Sequence, residues 1–426
     1  MKCFILKTFL GFSVVIGISS ALQAQPVAKD AVQATKKQQA TLRDSVAATT
    51  MDLLYRKDST DAVEDSVFRS KKALWLIFSP ELAYLLSNGT STGKALLDSS
   101  VYDAFNLRLG WQIPSPDTYS QLYRHQMLGI GFYYSNFHNK NFGKPMGLYG
   151  WFHVPFRTYH EQSRWRFGYY AAFGISFGFN PFDETDNPDN HFIGSRNNCY
   201  VAAFADAGYM LGRNWILIGA AGFRHFSNSS FTLPNNGINM LPVTISLAYR
   251  VNRVQIRTTQ DSIAPFKPFF VANLLLAAGE KQYAIGGTRY VKNTFSAQLM
   301  YQFSYKFRAG LGADLFYAAG GQFRDSTPGK SDFSKQFSAG VTVNGDWILR
   351  SNLFVPMAIG FYLKRNEFND ETMNYYLRAG IRTRIAKHYL AGITVKAHGG
   401  SSDVFEWTLG YMFHRDRNRY RRLLFL

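Results

Sequence analysis

Along residues 165–179 the side chains alternate. Trp165, Phe167, Tyr169, Ala171, Phe173, Ile175, Phe177 and Phe179 share one parity; Arg166, Gly168, Gly174, Ser176 and Gly178 share the other. Successive side chains of a β-strand point to opposite faces. This stretch therefore predicts a strand with a large aromatic face and a small, polar one. The same alternation recurs near 74–87, 101–112, 123–135, 145–157, 164–179, 196–212, 214–226 and 239–252. It continues near 267–280, 293–306, 308–320, 335–349, 352–365, 374–387, 388–398 and 403–413. Sixteen such segments, aromatic on one face, are what an all-β antiparallel transmembrane barrel requires.

Connections give an independent check. Those after even-numbered segments are mostly tight, as at Gly212-Arg213, Arg350-Ser351 and Ala386-Lys387-His388. Those after odd-numbered segments are mostly long: 180–195, 227–238, 281–292 and 321–334. Outer-membrane barrels have short periplasmic turns and longer outer loops, so odd strands run outward. Two connections break the rule, 113–122 and 253–266. The second divides the strands into two eight-strand halves, 73–253 and 254–426. One sixteen-stranded barrel is favoured over two barrels of eight.

The chain's start supplies an address. Lys2 and Lys7 precede the apolar run Phe9–Ile18, and Ala24 is a small residue before a cut, so residues 1–24 read as a signal peptide. No later stretch approaches the roughly 20 apolar residues of a spanning helix. Residues 25–72 are polar, mixed in charge and poor in aromatics, and read as a periplasmic segment. The chain is therefore expected to be exported, as a multi-pass barrel, to a Gram-negative outer membrane.

Composition agrees. Aromatics reach 16% and charged residues only 18%, while the net charge of +18 suits a phosphate-bearing partner such as lipopolysaccharide. Export argues against nucleic acid. With Cys3 inside the signal peptide, Cys199 stands alone and forms no intrachain disulfide.

One stretch carries candidate chemistry. Arg224-His225-Phe226-Ser227-Asn228 is followed by Pro234-Asn235-Asn236-Gly237-Ile238-Asn239. His225 and Ser227 share a strand face and the parity of Trp215, Leu217 and Phe223. Asn239 shares parity with Leu241, Val243, Ile245, Leu247 and Tyr249. All three are thus expected on the lipid face at the outer strand end. Polar groups are costly there without a use.

These residues resemble the signature of the outer-membrane lipid A 3-O-deacylase family. Its longer acyloxyacyl hydrolase relatives are resembled more widely. The stretches are Gly143-Lys144-Pro145 with Leu148-Tyr149-Gly150, Phe179-Asn180-Pro181-Phe182-Asp183, Asn187-Pro188 with Asn190, and Ile193-Gly194-Ser195. Lys396-Ala397-His398 with Asp403-Val404-Phe405-Glu406 is similar to their final hairpin. The resemblance implies an ester hydrolase acting on lipid A, without a cofactor. It implies Ser227 as nucleophile and His225 as general base, and puts Asn239 where the best-known members carry the orienting Glu. Asn228 is the oxyanion candidate, through its N–H or side chain.

The second half holds a similar constellation, His398 and Ser401 followed by Glu406, which hints at internal duplication. Its parity points inward, beside Lys396, Arg378, Arg382 and Arg384, so it reads as lumen chemistry and not as catalysis. No metal motif is present; the loop 183–190 offers carboxylates to a cation but reads more simply as a solvated loop. Two non-catalytic alternatives remain: a porin or surface-binding barrel, and a soluble periplasmic lipid-binding β protein.

Overall fold

The computed structural model describes residues 72–87, 89–98, 100–112, 118–158, 163–252, 254, 263–322, 333–399 and 401–414. The expected signal peptide, and the expected periplasmic segment up to residue 71, lie outside the described residues.

The first eight strands are β1 (Ala73–Leu86), β2 (Asp103–Gln112), β3 (Met127–Asn136), β4 (Gly143–Pro155), β5 (Trp165–Phe179), β6 (Asn198–Met210), β7 (Trp215–Ser227) and β8 (Ile238–Arg250). The next eight are β9 (Phe269–Gln282), β10 (Arg289–Gln302), β11 (Phe307–Ala318), β12 (Phe337–Arg350), β13 (Leu353–Lys364), β14 (Tyr375–Arg384), β15 (Tyr389–His398) and β16 (Ser401–His414). Two short helices, α1 (Ser91–Asp98) and α2 (Thr118–Leu122), sit in the β1–β2 and β2–β3 connections.

The preference for one sixteen-stranded barrel gives way here to two closed rings of eight. β1 pairs antiparallel with β8, Leu76 facing Tyr249, and β9 pairs with β16, Leu275 facing Gly410. The reason lies in the inward faces. Trp75, Tyr133, Tyr149, Trp151, Tyr170, Tyr200, Phe204 and Phe226 are all buried in the first ring. An eight-stranded barrel is just wide enough for side chains to fill, whereas sixteen strands leave an aqueous channel. Reading inward positions as small and polar overlooked these rings. Their room comes partly from facing glycines: a Cβ on Gly131 would lie 2.3 Å from the Tyr149 ring.

The outward faces match the alternation. Leu76, Phe78, Leu82 and Tyr84 on β1, and Leu241, Val243, Ile245 and Leu247 on β8, are exposed, as a surface facing hydrocarbon would be. Some strand-end residues depart from it, Phe179 among them. Phe179 is buried against Phe226, ring centroids 5.2 Å apart, because Gly178 at φ +85° turns the strand end.

A buried ion pair lies inside the first ring. Arg224, fully buried, grips Glu81 through two nitrogens, one of them Nη2 to Oε2 at 2.7 Å. Its guanidinium also lies 4.5 Å from the Tyr133 ring centre. At the end holding α2, the barrels touch: Tyr123 OH donates to Ile348 O at 2.6 Å, and Tyr123 and Phe152 pack on Trp347.

Candidate active site

β7 carries its residues alternately in and out up to its last turn. Arg224 and Phe226 are buried inside the ring, while His225 and Ser227 take the outer parity of exposed Trp215, Leu217 and Phe223; at that strand end His225 is half-buried and Ser227 buried under the following turn. Across the ladder Asn239 stands opposite His225, on the outer parity of β8. A one-residue slip would carry all three into the lumen.

The contacts are specific. His225 Nδ1 and Asn239 Oδ1 lie 2.7 Å apart. With the amide oxygen as acceptor, Nδ1 carries the hydrogen and Nε2 keeps its lone pair. Ser227 Oγ accepts from Asn235 Nδ2 at 2.8 Å and from the Ser229 N–H at 3.1 Å. Among the described residues no hydrogen bond joins His225 to Ser227. Gly237, at φ +72°, passes so close under the imidazole that a Cβ there would lie 2.7 Å from His225 Cε1.

Asn228, the oxyanion candidate, is hydrogen-bonded within the turn. Its N–H donates to Asn235 Oδ1 at 3.1 Å, and its Nδ2 donates to Ser195 Oγ at 3.0 Å and Thr232 O at 2.9 Å. All its donors are engaged in framing the turn. The donors nearest the nucleophile candidate are instead the Ser229 N–H and the Asn235 amide. Sequence reading did not single these out, although Asn235 stood in plain view inside the quoted motif.

Distant stretches converge here. The Gly237 N–H donates to Phe192 O at 2.9 Å, and Gly194 lies directly under Leu233 and Pro234. Below them, Asn187 Nδ2 and Asn190 Nδ2 both donate to Asn141 O and Asn180 O, at 2.8–3.2 Å. These amides tie loop 183–190 to the neighbouring strand ends. No group of metal-ligating side chains occurs among the described residues.

Residues 105–248 match the family model described as Lipid A 3-O-deacylase (PagL), and residues 270–415 match Acyloxyacyl hydrolase, C-terminal domain. Together the two spans cover most of the chain, which belongs to the lipid A 3-O-deacylase / acyloxyacyl hydrolase family. Its two barrels correspond to the two matched spans, and as a deacylase-family barrel it is a protein of the outer membrane.

Other comparisons add little to the deacylase assignment. No curated protein matches the sequence. Similar solved structures include the β domain of the Bordetella autotransporter Brka, 9% identical over 80% of this chain and 98% of that one, TM-score 0.23. An outer membrane channel from Pseudomonas putida F1 is 10% identical over 81% and 95%, TM-score 0.18. At such scores nothing transfers from them to the deacylase-family chain.

The deacylase-family chain's second barrel places its own His and Glu inside. His398 Nε2 is 2.8 Å from Tyr362 OH, and buried Glu406 accepts from Arg378 Nε at 2.8 Å and Thr294 Oγ1 at 2.6 Å. Arg382 is buried alongside, and Arg384 reaches Ser351 O at 3.1 Å. These are lumen staples, as their parity indicates.

Proposed function

We propose that the protein is an outer-membrane ester hydrolase that removes a fatty-acyl chain from lipid A. Ser227 serves as nucleophile, His225 as general base and Asn239 as the group that orients the base. One observation carries this reading: His225 is held by Asn239 on the outward face of the strand end that presents Ser227.

A serine hydroxyl is a poor nucleophile until an imidazole takes its proton. Here His225 Nε2 receives the Ser227 proton as Oγ bonds to the ester carbonyl carbon. The imidazolium then returns the proton to the leaving sugar oxygen as the C–O bond breaks. Water, deprotonated by the same nitrogen, releases the fatty acid and restores the serine. The Ser229 N–H and the Asn235 amide are the donors best placed for the oxyanion, so Asn228 serves as the frame that aims them. The outward position suits a substrate lying in the leaflet, with export through residues 1–24 supplying the route.

A porin reading finds its obstacle in the aromatic filling of the first ring. The deciding experiment is lipid A incubated with the purified protein and read by mass spectrometry. Loss of one acyl chain, abolished in Ser227→Ala, is expected. Equal acyl loss with that variant sinks the assignment.

A further inference from the structure

The turn that follows Ser227 is held largely by the other barrel. Ser229 and Ser230 both adopt left-handed backbone, φ 53° and 61°, although neither is glycine. Such backbone is strained for a residue with a side chain and persists only where its surroundings over-determine it. Asn228 supplies part of that restraint from within the loop, receiving the Thr232 N–H on Oδ1 at 3.2 Å.

The rest comes from the ends of β9, β10 and β16. The Gln282 N–H donates to Ser230 O at 2.9 Å, and Gln282 Oε1 accepts the Leu233 N–H at 2.6 Å. Ser230 Oγ donates to Ser402 O at 3.0 Å. Arg289 Nε donates to Phe231 O and Nη2 to Thr232 Oγ1, each at 3.0 Å, with the guanidinium 4.2 Å over the Phe231 ring. Every residue from Ser230 to Leu233 is thus bonded to the second barrel. The Ser229 N–H that meets Ser227 Oγ belongs to the same turn.

We infer that the second barrel is a positioning domain for the first barrel's nucleophile, with Gln282 and Arg289 as its positioning residues. The inference rests on the reading of Ser227 as nucleophile. Without the clamp the turn relaxes from its left-handed backbone, and the Ser229 N–H swings away from the serine oxygen. An ångström of misplacement is enough to cost orders of magnitude in rate. The two barrels are therefore one catalytic unit, although the second contributes no group that touches substrate.

The test uses the full chain folded in detergent micelles, with Gln282→Ala, Arg289→Ala, the double variant and Arg289→Lys. Acyl release from lipid A gives kcat and KM, a fluorophosphonate reports Ser227 reactivity, and hydrogen exchange reports residues 229–233. The double variant is expected to lose about tenfold or more in kcat with KM within about twofold. Fluorophosphonate labelling should slow in parallel, exchange at 229–233 should quicken, and Arg289→Lys should fall between. A double variant with wild-type kcat overturns the inference, whether or not exchange changes. So does a loss that merely tracks the folded fraction seen by gel mobility. Full activity in Ser227→Ala overturns the reading of the site instead. The exchange data then still report whether the second barrel holds the turn.

Discussion

Both barrels end on a histidine, a serine and a polar residue beyond the hairpin, yet the two sets do opposite things. In β7 and β8, His225 and Ser227 are two apart and Asn239 sits directly across, so all three leave the pleat on its outer face. In β15 and β16, His398 and Ser401 face each other across the ladder, with a register shift just before them. His398 turns inward to Tyr362, and Glu406 inward to Arg378. The residue kinds are nearly the same. Parity decides whether they stand on the outer face or become an internal staple, because one step along a strand reverses the face.

The largest effect should separate the two ends by activity. Ser227→Ala is expected to lower acyl release by about 10⁶-fold, the scale of loss when a triad serine is removed. Ser401→Ala should leave the rate unchanged in the same mass-spectrometric assay. Equal losses from both variants would mean that parity does not assign the chemistry.

Stability should separate them in the other direction. Arg378→Met leaves Asp314 and Glu406 buried without their cation, and breaking such a pair costs about 3–5 kcal/mol. Denaturant unfolding should show that loss, while acyl release per folded molecule holds. A normal midpoint would show that the inner cluster is not a staple.

How far the sequence revealed all this follows from the same parity. The outer faces were legible because lipid demands apolar side chains at every second position, as Leu241, Val243, Ile245 and Leu247 show. Loop lengths separated the tight-turn end of the barrel from the long-loop end, where Ser227 lies. Ring closure was not legible: alternation says which face a residue takes, not which strand is its neighbour, and only the bulk of Trp75, Tyr149 and Trp151 hinted at small rings. Nor was the frame of the turn. Gln282 and Arg289 lie far from Ser227 along the chain and belong to no motif. The part of Asn228 in that frame was not legible either, because its hydrogen-bond partners, Ser195 and Thr232, come together only in the fold.

A smaller effect probes the loop beneath the imidazole. Gly237→Ala forces a side chain onto left-handed backbone and a Cβ against His225 Cε1. The expected cost is about 1–2 kcal/mol of stability and about 10–100-fold in kcat, because the ring must shift. The corresponding Gly399→Ala, also at positive φ, should cost stability of the same order with kcat preserved. Its Cβ would meet only the Met373 side chain, a flexible neighbour that can yield.

The smallest change goes to the residue that differs from the expected glutamate. Asn239 orients His225 through its amide oxygen but brings no charge to the imidazolium that forms during attack. Glu406 shows what a buried carboxylate demands in this molecule: an arginine and two threonine hydroxyls satisfy it. Position 239 is half-buried at a strand end, where a carboxylate facing His225 would not be enclosed as Glu406 is. Asn239→Glu should therefore fold normally and raise kcat by about tenfold, because the new charge acts only once the imidazole is protonated. Michaelis kinetics on lipid A check this, with KM expected to hold. A rate equal to or below that of the parent would mean the amide is matched to its surroundings, and that orientation alone is what Asn239 supplies.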